Sequence, residues 1–458
     1  MKKTTRRHFI KLASSGMLAA GATSEIIARE HFLKPRQNIA ANDKIQLATI
    51  GIGGQGFGDT QTALRVPGVE LVAVADLYDG RLARAKEVWG EKLFATRDYR
   101  EVLARPDVDA VIIGTPDHWH AQIAVEAMEA GKDVYVEKPM VQLVDEGNKV
   151  IEAERKTKRI CQVGSQRVSS VVYLKAKELL SSGAIGELNL VEAWFHRRSS
   201  IAAWQYTVPP DASPQNVDWD RFLGRAPKVP FDPVRFFRWR NYRDYGTGIG
   251  GDLFVHLFSG LHLVVGSNGP KRVLASGGLR YWKDGRDVPD QMLGLYEYDG
   301  VNGQSGFSVA LRVNFADGSV DPNVFEQSGF RFVGSEGVIT IGNGVTLSRR
   351  SRPSEPGLAI NTFPQSAQDQ IHKQQREKYE AERKQMRTAT DETYLPPAGY
   401  SDSFDHFTNF FEAVRTRKPV VEDATFGLRA AGPALLSNLS YFENRIVHWN
   451  PVKMKVVR

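Results

Sequence analysis

Residues 44–76 constrain the fold of this chain more than any other stretch. Lys44–Ile50 is a short, mostly apolar run of the kind that forms a buried parallel strand, and Gly51, Gly53 and Gly56 follow it with the spacing G-x-G-x-x-G. In that spacing the first glycine lets the chain turn sharply, the second leaves room for a pyrophosphate against the backbone, and the third brings the next helix close to the strand. The helix then presents free N–H groups to the phosphates. A second apolar run, Val69–Ala75, ends in Asp76, where a carboxylate can accept hydrogen bonds from a ribose diol. A glycine motif alone is a weak signal. Strand, helix, strand and terminal acid in order make a dinucleotide site the expected reading. The Asp76 charge would repel a 2′-phosphate and so favours NAD over NADP, with Arg81 and Arg84 nearby as the opposing feature.

The chain of 458 residues is long enough for two or more domains. Its formal charge of +7 misleads, because residues 1–41 hold eight Lys and Arg against Glu25 and Glu30 and so carry six of those seven charges. The remainder is nearly neutral, and no nucleic-acid partner is expected. The single Cys161 forms no intrachain disulfide, and no metal site is expected. At the N-terminus, Thr5-Arg6-Arg7-His8-Phe9-Ile10-Lys11 is a twin-arginine pattern followed by a weakly apolar run, Leu12–Ala22. That run is too short for a stable membrane anchor. Export by the twin-arginine machinery to the periplasm, already folded around a cofactor, is the expectation.

Strands and helices alternate after Asp76. A helix is expected over Arg81–Trp89, a shorter one near Tyr99–Ala104, a strand over Ala110–Gly114, a helix over Ala121–Ala130 and a strand over Asp133–Val136. This rhythm implies right-handed βαβ units and a parallel sheet, whose ligands gather at the carboxyl ends of its strands. Three stretches fall there: the glycine turn, the loop Thr115-Pro116-Asp117-His118-Trp119-His120, and Glu137-Lys138-Pro139. Lys138 precedes a proline and is therefore extended, so its ammonium is either aimed into a cleft or solvated at a strand end. Further on, Asp252 and His256 are four apart on an apolar helix and share one face. Such a pair is either an imidazole base oriented by a carboxylate or a satisfied core histidine. Residues 197–245 have little periodicity and are rich in Trp, Pro, Arg and Asp. A stretch this long is either a sugar-binding loop or a structural one anchored by its aromatics. Strands are expected at Val273–Gly277, Met292–Tyr298, Phe307–Phe315, Phe330–Val333 and Val338–Ile341, joined by short turns as in an antiparallel sheet. Gln365–Thr388 reads as a solvated helix or arm, and an extended tail follows Trp449.

The glycine turn, TPDHWH, AGKDVYVEKP and GGDLFVH together resemble the Gfo/Idh/MocA family of NAD(P)-dependent oxidoreductases over about residues 43–455. The resemblance implies an α/β fold, with an N-terminal Rossmann nucleotide-binding domain and a C-terminal α/β domain carrying a large, mainly antiparallel open sheet. It implies that the sheet often forms an oligomer interface. The expected division is a signal and linker at 1–41, the Rossmann domain at 43–165, the substrate and oligomerisation domain at 166–445, and a tail at 446–458. By the same resemblance Lys138, Asp252 and His256 are catalytic. Gly51, Gly53, Gly56, Asp76, Thr115, Pro116, His120, Glu137 and Lys138 are expected to hold the cofactor. The function expected is hydride transfer between a secondary hydroxyl of a sugar, glycoside or polyol and a tightly bound, recycled NAD. The alternatives are an NAD-dependent glycosidase working by transient oxidation and elimination, ranked lower on the Asp-x-x-x-His pair, and a nonenzymatic sugar-binding protein with structural NAD.

Overall fold

A computed structural model describes residues 23–26, 39–40, 43–301, 303, 305–318, 326–350, 357–383 and 391–457. The twin-arginine pattern at 5–11 lies outside the described residues. A four-residue strand, β1 (Thr23–Ile26), stands within the stretch expected to be signal and linker, and pairs in parallel with a strand far along the chain.

The first sheet contains β2 (Ile45–Ile50), β3 (Val69–Ala75), β4 (Phe94–Thr96), β5 (Ala110–Ile113), β6 (Asp133–Val136) and β7 (Cys161–Val163). Its order is β4-β3-β2-β5-β6-β7 and every pairing is parallel. All four residues of β5 and of β6 are buried, as expected when helices cover both faces of a parallel sheet. Helices Gly54–Ala63, Asp79–Trp89, Tyr99–Leu103, Asp117–Glu129 and Gly147–Thr157 make the crossovers. The strand order reverses between β2 and β5, so a crevice opens beyond the carboxyl ends of those two strands.

The second sheet contains β8 (Leu188–His196), β9 (Arg272–Gly278), β10 (Gln291–Tyr298), β11 (Phe307–Asn314), β12 (Gln327–Gly334), β13 (Gly337–Ile341), β14 (Val345–Arg349), β15 (Asp391–Leu395), β16 (Val447–Asn450) and β17 (Lys455–Val457). With β1 it forms eleven strands in the order β1-β15-β14-β13-β12-β8-β11-β10-β9-β16-β17, antiparallel except at β8–β11 and β1–β15. The C-terminal tail is therefore part of this sheet, as β16 and β17. Burial alternates along β9, β10 and β11, which gives the sheet one covered and one open face. The covered face lies under helices Val171–Ser181, Gly248–Val265 and Ala424–Glu443. Gly248–Val265 is apolar enough to span a membrane, yet 94 % of it is buried inside the protein. Leu274, Leu293 and Leu295 stand on the open face.

One late helix crosses back. Asp402–Thr416 packs Phe407, Phe410 and Phe411 against Ile45, Leu47, Ala110, Ile112 and Tyr135 of the first sheet. By packing it belongs with the nucleotide domain, although it follows the second sheet in sequence. The polar stretch near 365 forms the exposed helix Gln365–Arg383.

Candidate active site

The glycine turn leaves β2 with Gly51 at φ +83°, a region that favours glycine. A Cβ on Gly56 would collide with the Gly51 carbonyl oxygen, whereas one on Gly53 would meet only the Arg81 guanidinium, at 3.3 Å. The third glycine therefore serves helix–strand packing, and the second leaves the backbone open to a ligand. Asp76 follows the last residue of β3. Its carboxylate accepts the Ile52 N–H at 3.0 Å and the Tyr78 N–H at 3.1 Å, and Arg81 lies 3.4 Å away. Arg84 turns aside to Glu87 at 2.8 Å.

Gly51, Gly53, Asp76, Thr115 and Pro116 line one groove of about 950 Å³, measured with its open mouth. These residues fit NAD: open backbone at the turn for the pyrophosphate, and a carboxylate at the strand end for the ribose diol. Gly56, Glu137, Lys138 and His120 do not line the groove.

The opposite wall comes from the aromatic stretch after β8. Phe222, Phe236, Phe237, Trp239, Tyr206 and Arg240 face the groove. The stretch holds two short helices, Trp219–Leu223 and Pro233–Phe237, capped by the carboxylates of Asp218 and Asp232. Its rings cluster with Tyr78 of the nucleotide domain. Backbone bonds tie it down, from Asp218 N–H to the Leu77 carbonyl (2.8 Å) and from Asp79 N–H to the Asn216 carbonyl (3.0 Å). Arg97 joins the two parts again, donating to Asp79 at 2.7 Å and to the Gln215 carbonyl at 3.1 Å. This strap is thus both an aromatic-anchored structure and a ligand-facing wall, and what it covers is the nucleotide groove.

The EKP stretch leaves β6, and the Lys138–Pro139 peptide is cis. Lys138 is nearly buried. Its ammonium donates to Asp252 Oδ1 at 2.9 Å and to the Asp252 carbonyl at 3.3 Å. Arg240 reaches the same Oδ1, its Nε at 3.4 Å. Burial alone would raise the Asp252 carboxyl. The Lys138 and Arg240 charges outweigh it and hold that carboxyl well below the usual range. The reading of Asp252 as the group that orients His256 is corrected: Lys138 and Arg240 both meet Asp252 at Oδ1, and no hydrogen bond among the described residues joins Asp252 to the imidazole. His256 stacks on Phe195 at 5.6 Å, and its Nδ1 is enclosed with no hydrogen-bond partner among the described residues. Burial, then the Lys138 and Arg167 charges, push its imidazole well below the ordinary value, so it is neutral at neutral pH.

Glu137 accepts from Gln166 at 3.3 Å, and burial pushes it up to about 7 against the pull of Lys138. Asp117 starts the Asp117–Glu129 helix, so the second half of TPDHWH is helical and not a loop. Its carboxylate accepts both the Thr247 N–H (2.9 Å) and hydroxyl (2.8 Å), which places the start of the Gly248–Val265 helix. Burial and the Asp252 charge push Asp117 up to about 7. The His120 ring nitrogens lie 2.7 Å from the Pro139 carbonyl and 2.8 Å from that of Thr115, bracing two loops of the site. His118 lies between the Phe222 carbonyl at 2.7 Å and the Tyr245 carbonyl at 3.3 Å, which docks the strap. Arg240 and Asp117 are the site residues that sequence reasoning missed. Asp117 stood in a motif already singled out, while Arg240 gave no local signal.

Comparison with known proteins agrees with this architecture. Residues 45–165 match the GFO/IDH/MocA oxidoreductase family, NAD-binding Rossmann fold, and residues 173–340 match the GFO/IDH/MocA C-terminal domain. The chain belongs to the Gfo/Idh/MocA oxidoreductase family, and its first domain is an NAD-binding Rossmann fold. Glycosyl hydrolase family 109 proteins of Shewanella sp. (strain W3-18-1) and Shewanella putrefaciens are each 31 % identical over 206 residues, which is 41 % of this chain. The match spans 45 % of the length of those relatives. A levoglucosan dehydrogenase in complex with NADH and levoglucosan superposes with a TM-score of 0.63 at 18 % identity, covering 88 % of this chain and 99 % of the other. A probable dehydrogenase from Thermotoga maritima gives 0.58 at 18 % identity, covering 90 % and 100 %. At these identities the likeness is one of fold.

Proposed function

We propose that the protein is an exported oxidoreductase acting on a secondary hydroxyl of a sugar, glycoside or polyol, with NAD kept bound and recycled. The observation that carries this reading is the Lys138–Asp252 ion pair, set beside His256 in a family built around an NAD-binding fold. Bound NAD would supply a two-electron hydride acceptor. His256 is neutral and accepts the hydroxyl proton. The Lys138 ammonium, held by Asp252, hydrogen-bonds the same oxygen and stabilises the charge that develops there. Asp252 positions the lysine rather than the imidazole. The strap over the groove supports tight retention, which an exported enzyme without a free NAD pool requires. The apolar open face of the second sheet, with Leu293 and Leu295, supports a homo-oligomer.

A second reading is favoured by the family 109 relatives. Oxidation at a ring carbon acidifies the neighbouring C–H and permits loss of the glycosidic group, so the same residues would serve an NAD-dependent glycosidase. Incubation with aryl glycosides separates the two. Ketone formed with the aglycone still attached supports the first, release of the aryl alcohol supports the second, and neither product from any sugar tested would contradict both.

A further inference from the structure

Arg240 stands out from the other buried or half-buried arginines by what its guanidinium lacks. Arg167 and Arg197 both meet Glu326, at 3.6 and 3.0 Å, and Arg167 also donates to Tyr173 and Ser328. Arg286 faces Asp284 through two nitrogens, at 2.8 and 2.7 Å. Among the described residues, Arg240 has one hydrogen-bond acceptor, Asp252, reached through Nε alone and shared with Lys138. Its two terminal nitrogens, the ones that form a fork, are left over. They are not sealed away, because the side chain is 18 % exposed and lines the groove beside Tyr206, Thr115 and Pro116. The plane of the guanidinium is fixed by the Trp239 ring, whose centroid lies 4.2 Å from its Cζ. Tyr206 and Asp117 also bear on this charge, and Thr247 engages one oxygen of Asp117, Oδ2. Two cations therefore converge on one carboxylate oxygen, and the surplus faces the ligand space.

A rigid, partly desolvated guanidinium with a free fork matches a planar, bidentate anion. We propose that Arg240, backed by Trp239, binds a carboxylate on the substrate, so that the enzyme takes acidic sugars such as uronides ahead of their neutral counterparts. This rests on the sugar-oxidoreductase reading and adds the substrate's charge to it. The strap thereby does two things: it closes over the cofactor groove, and it delivers the residue that selects the substrate.

The test uses full-length protein loaded with NAD and matched pairs of methyl glycosides that differ only in a C6 carboxylate against a C6 hydroxymethyl group, in the gluco, galacto and manno series. Calorimetry measures affinity, and ketone formation is followed in the same samples. In at least one series the uronide should bind about 10- to 100-fold more tightly than its neutral partner. Arg240→Gln should abolish that difference, and Arg240→Lys should retain part of it. The proposal is overturned if no uronide outbinds its neutral partner, if Arg240→Gln weakens both members of a pair equally, or if Arg240→Gln loses NAD, which would assign the guanidinium to the pyrophosphate. Tight uronide binding without oxidation would leave this proposal standing and overturn the oxidoreductase reading. Oxidation of neutral glycosides without uronide preference would do the reverse.

Discussion

Lys138 and Asp252, 114 positions apart in sequence, meet in a buried ion pair of 2.9 Å that joins the end of β6 to the Gly248–Val265 helix. Taking away one member of such a pair leaves an uncompensated charge and costs about 3–5 kcal/mol. Lys138→Met and Asp252→Leu should each lower the urea midpoint, and the double variant should lose less than the sum of the two, with a coupling of about 1–3 kcal/mol. Strictly additive losses would show that the pair contributes no coupling. Turnover should fall by about 100-fold or more in either single variant, with NAD content unchanged in Lys138→Met.

The glycine turn separates fold from binding. Gly56→Ala drives a methyl into the Gly51 carbonyl and should prevent folding or strongly destabilise the domain. Gly53→Ala meets only the flexible end of Arg81, so melting of the nucleotide-free protein should stay near wild type while bound NAD falls. Gly54 has open space around it, and Gly54→Ala is the control for the fold. Thermal melts with nucleotide analysis of the same samples check all three.

Cofactor exchange should depend on the strap. Arg97→Ala removes the side chain that joins Asp79 to the Gln215 carbonyl at the rim where the strap meets the nucleotide groove, which Arg97 also lines. Displacement of bound NAD by a labelled analogue should speed up by about tenfold, equivalent to about 1.4 kcal/mol of lost closure. An unchanged exchange rate would mean that the strap does not limit release.

His120 gives a pH signature with a fixed sign. Burial lowers its folded value from 6.5 to about 4, against the raising effect of the two carbonyls. The unfolded chain therefore takes up the proton first as pH falls. The stability tied to neutral His120 is complete above about pH 6.5 and is lost as pH falls towards about 4. The cost of His120→Asn, measured by urea unfolding, should shrink by about 2 kcal/mol between pH 7 and pH 5. An equal cost at both values would contradict the assignment.

The parts of the site that were legible in sequence are those fixed by short-range geometry. The glycine spacing, Asp76 at the strand end and the apolar runs of β2, β3, β5 and β6 each state their structure locally. So did most of the central strands of the second sheet, since one covered face imposes alternation. Partner choice was not legible. Asp252 lies one helical turn from His256, yet its carboxylate is taken by Lys138 and Arg240, which arrive from a strand end and from the strap. The strap itself has almost no periodicity because its order comes from Tyr78, His118 and Trp119 of another domain. For the same reason nothing local in the sequence assigns Asp402–Thr416 to the first sheet.

The central claim is that this chain keeps NAD as a working part. Purified full-length protein should be denatured, cleared of precipitate, and assayed for released NAD and NADP. Near-stoichiometric NAD with little NADP is the predicted result. No nucleotide, together with no binding when NAD is added back to native protein, would contradict the account and leave a binding protein on an oxidoreductase fold.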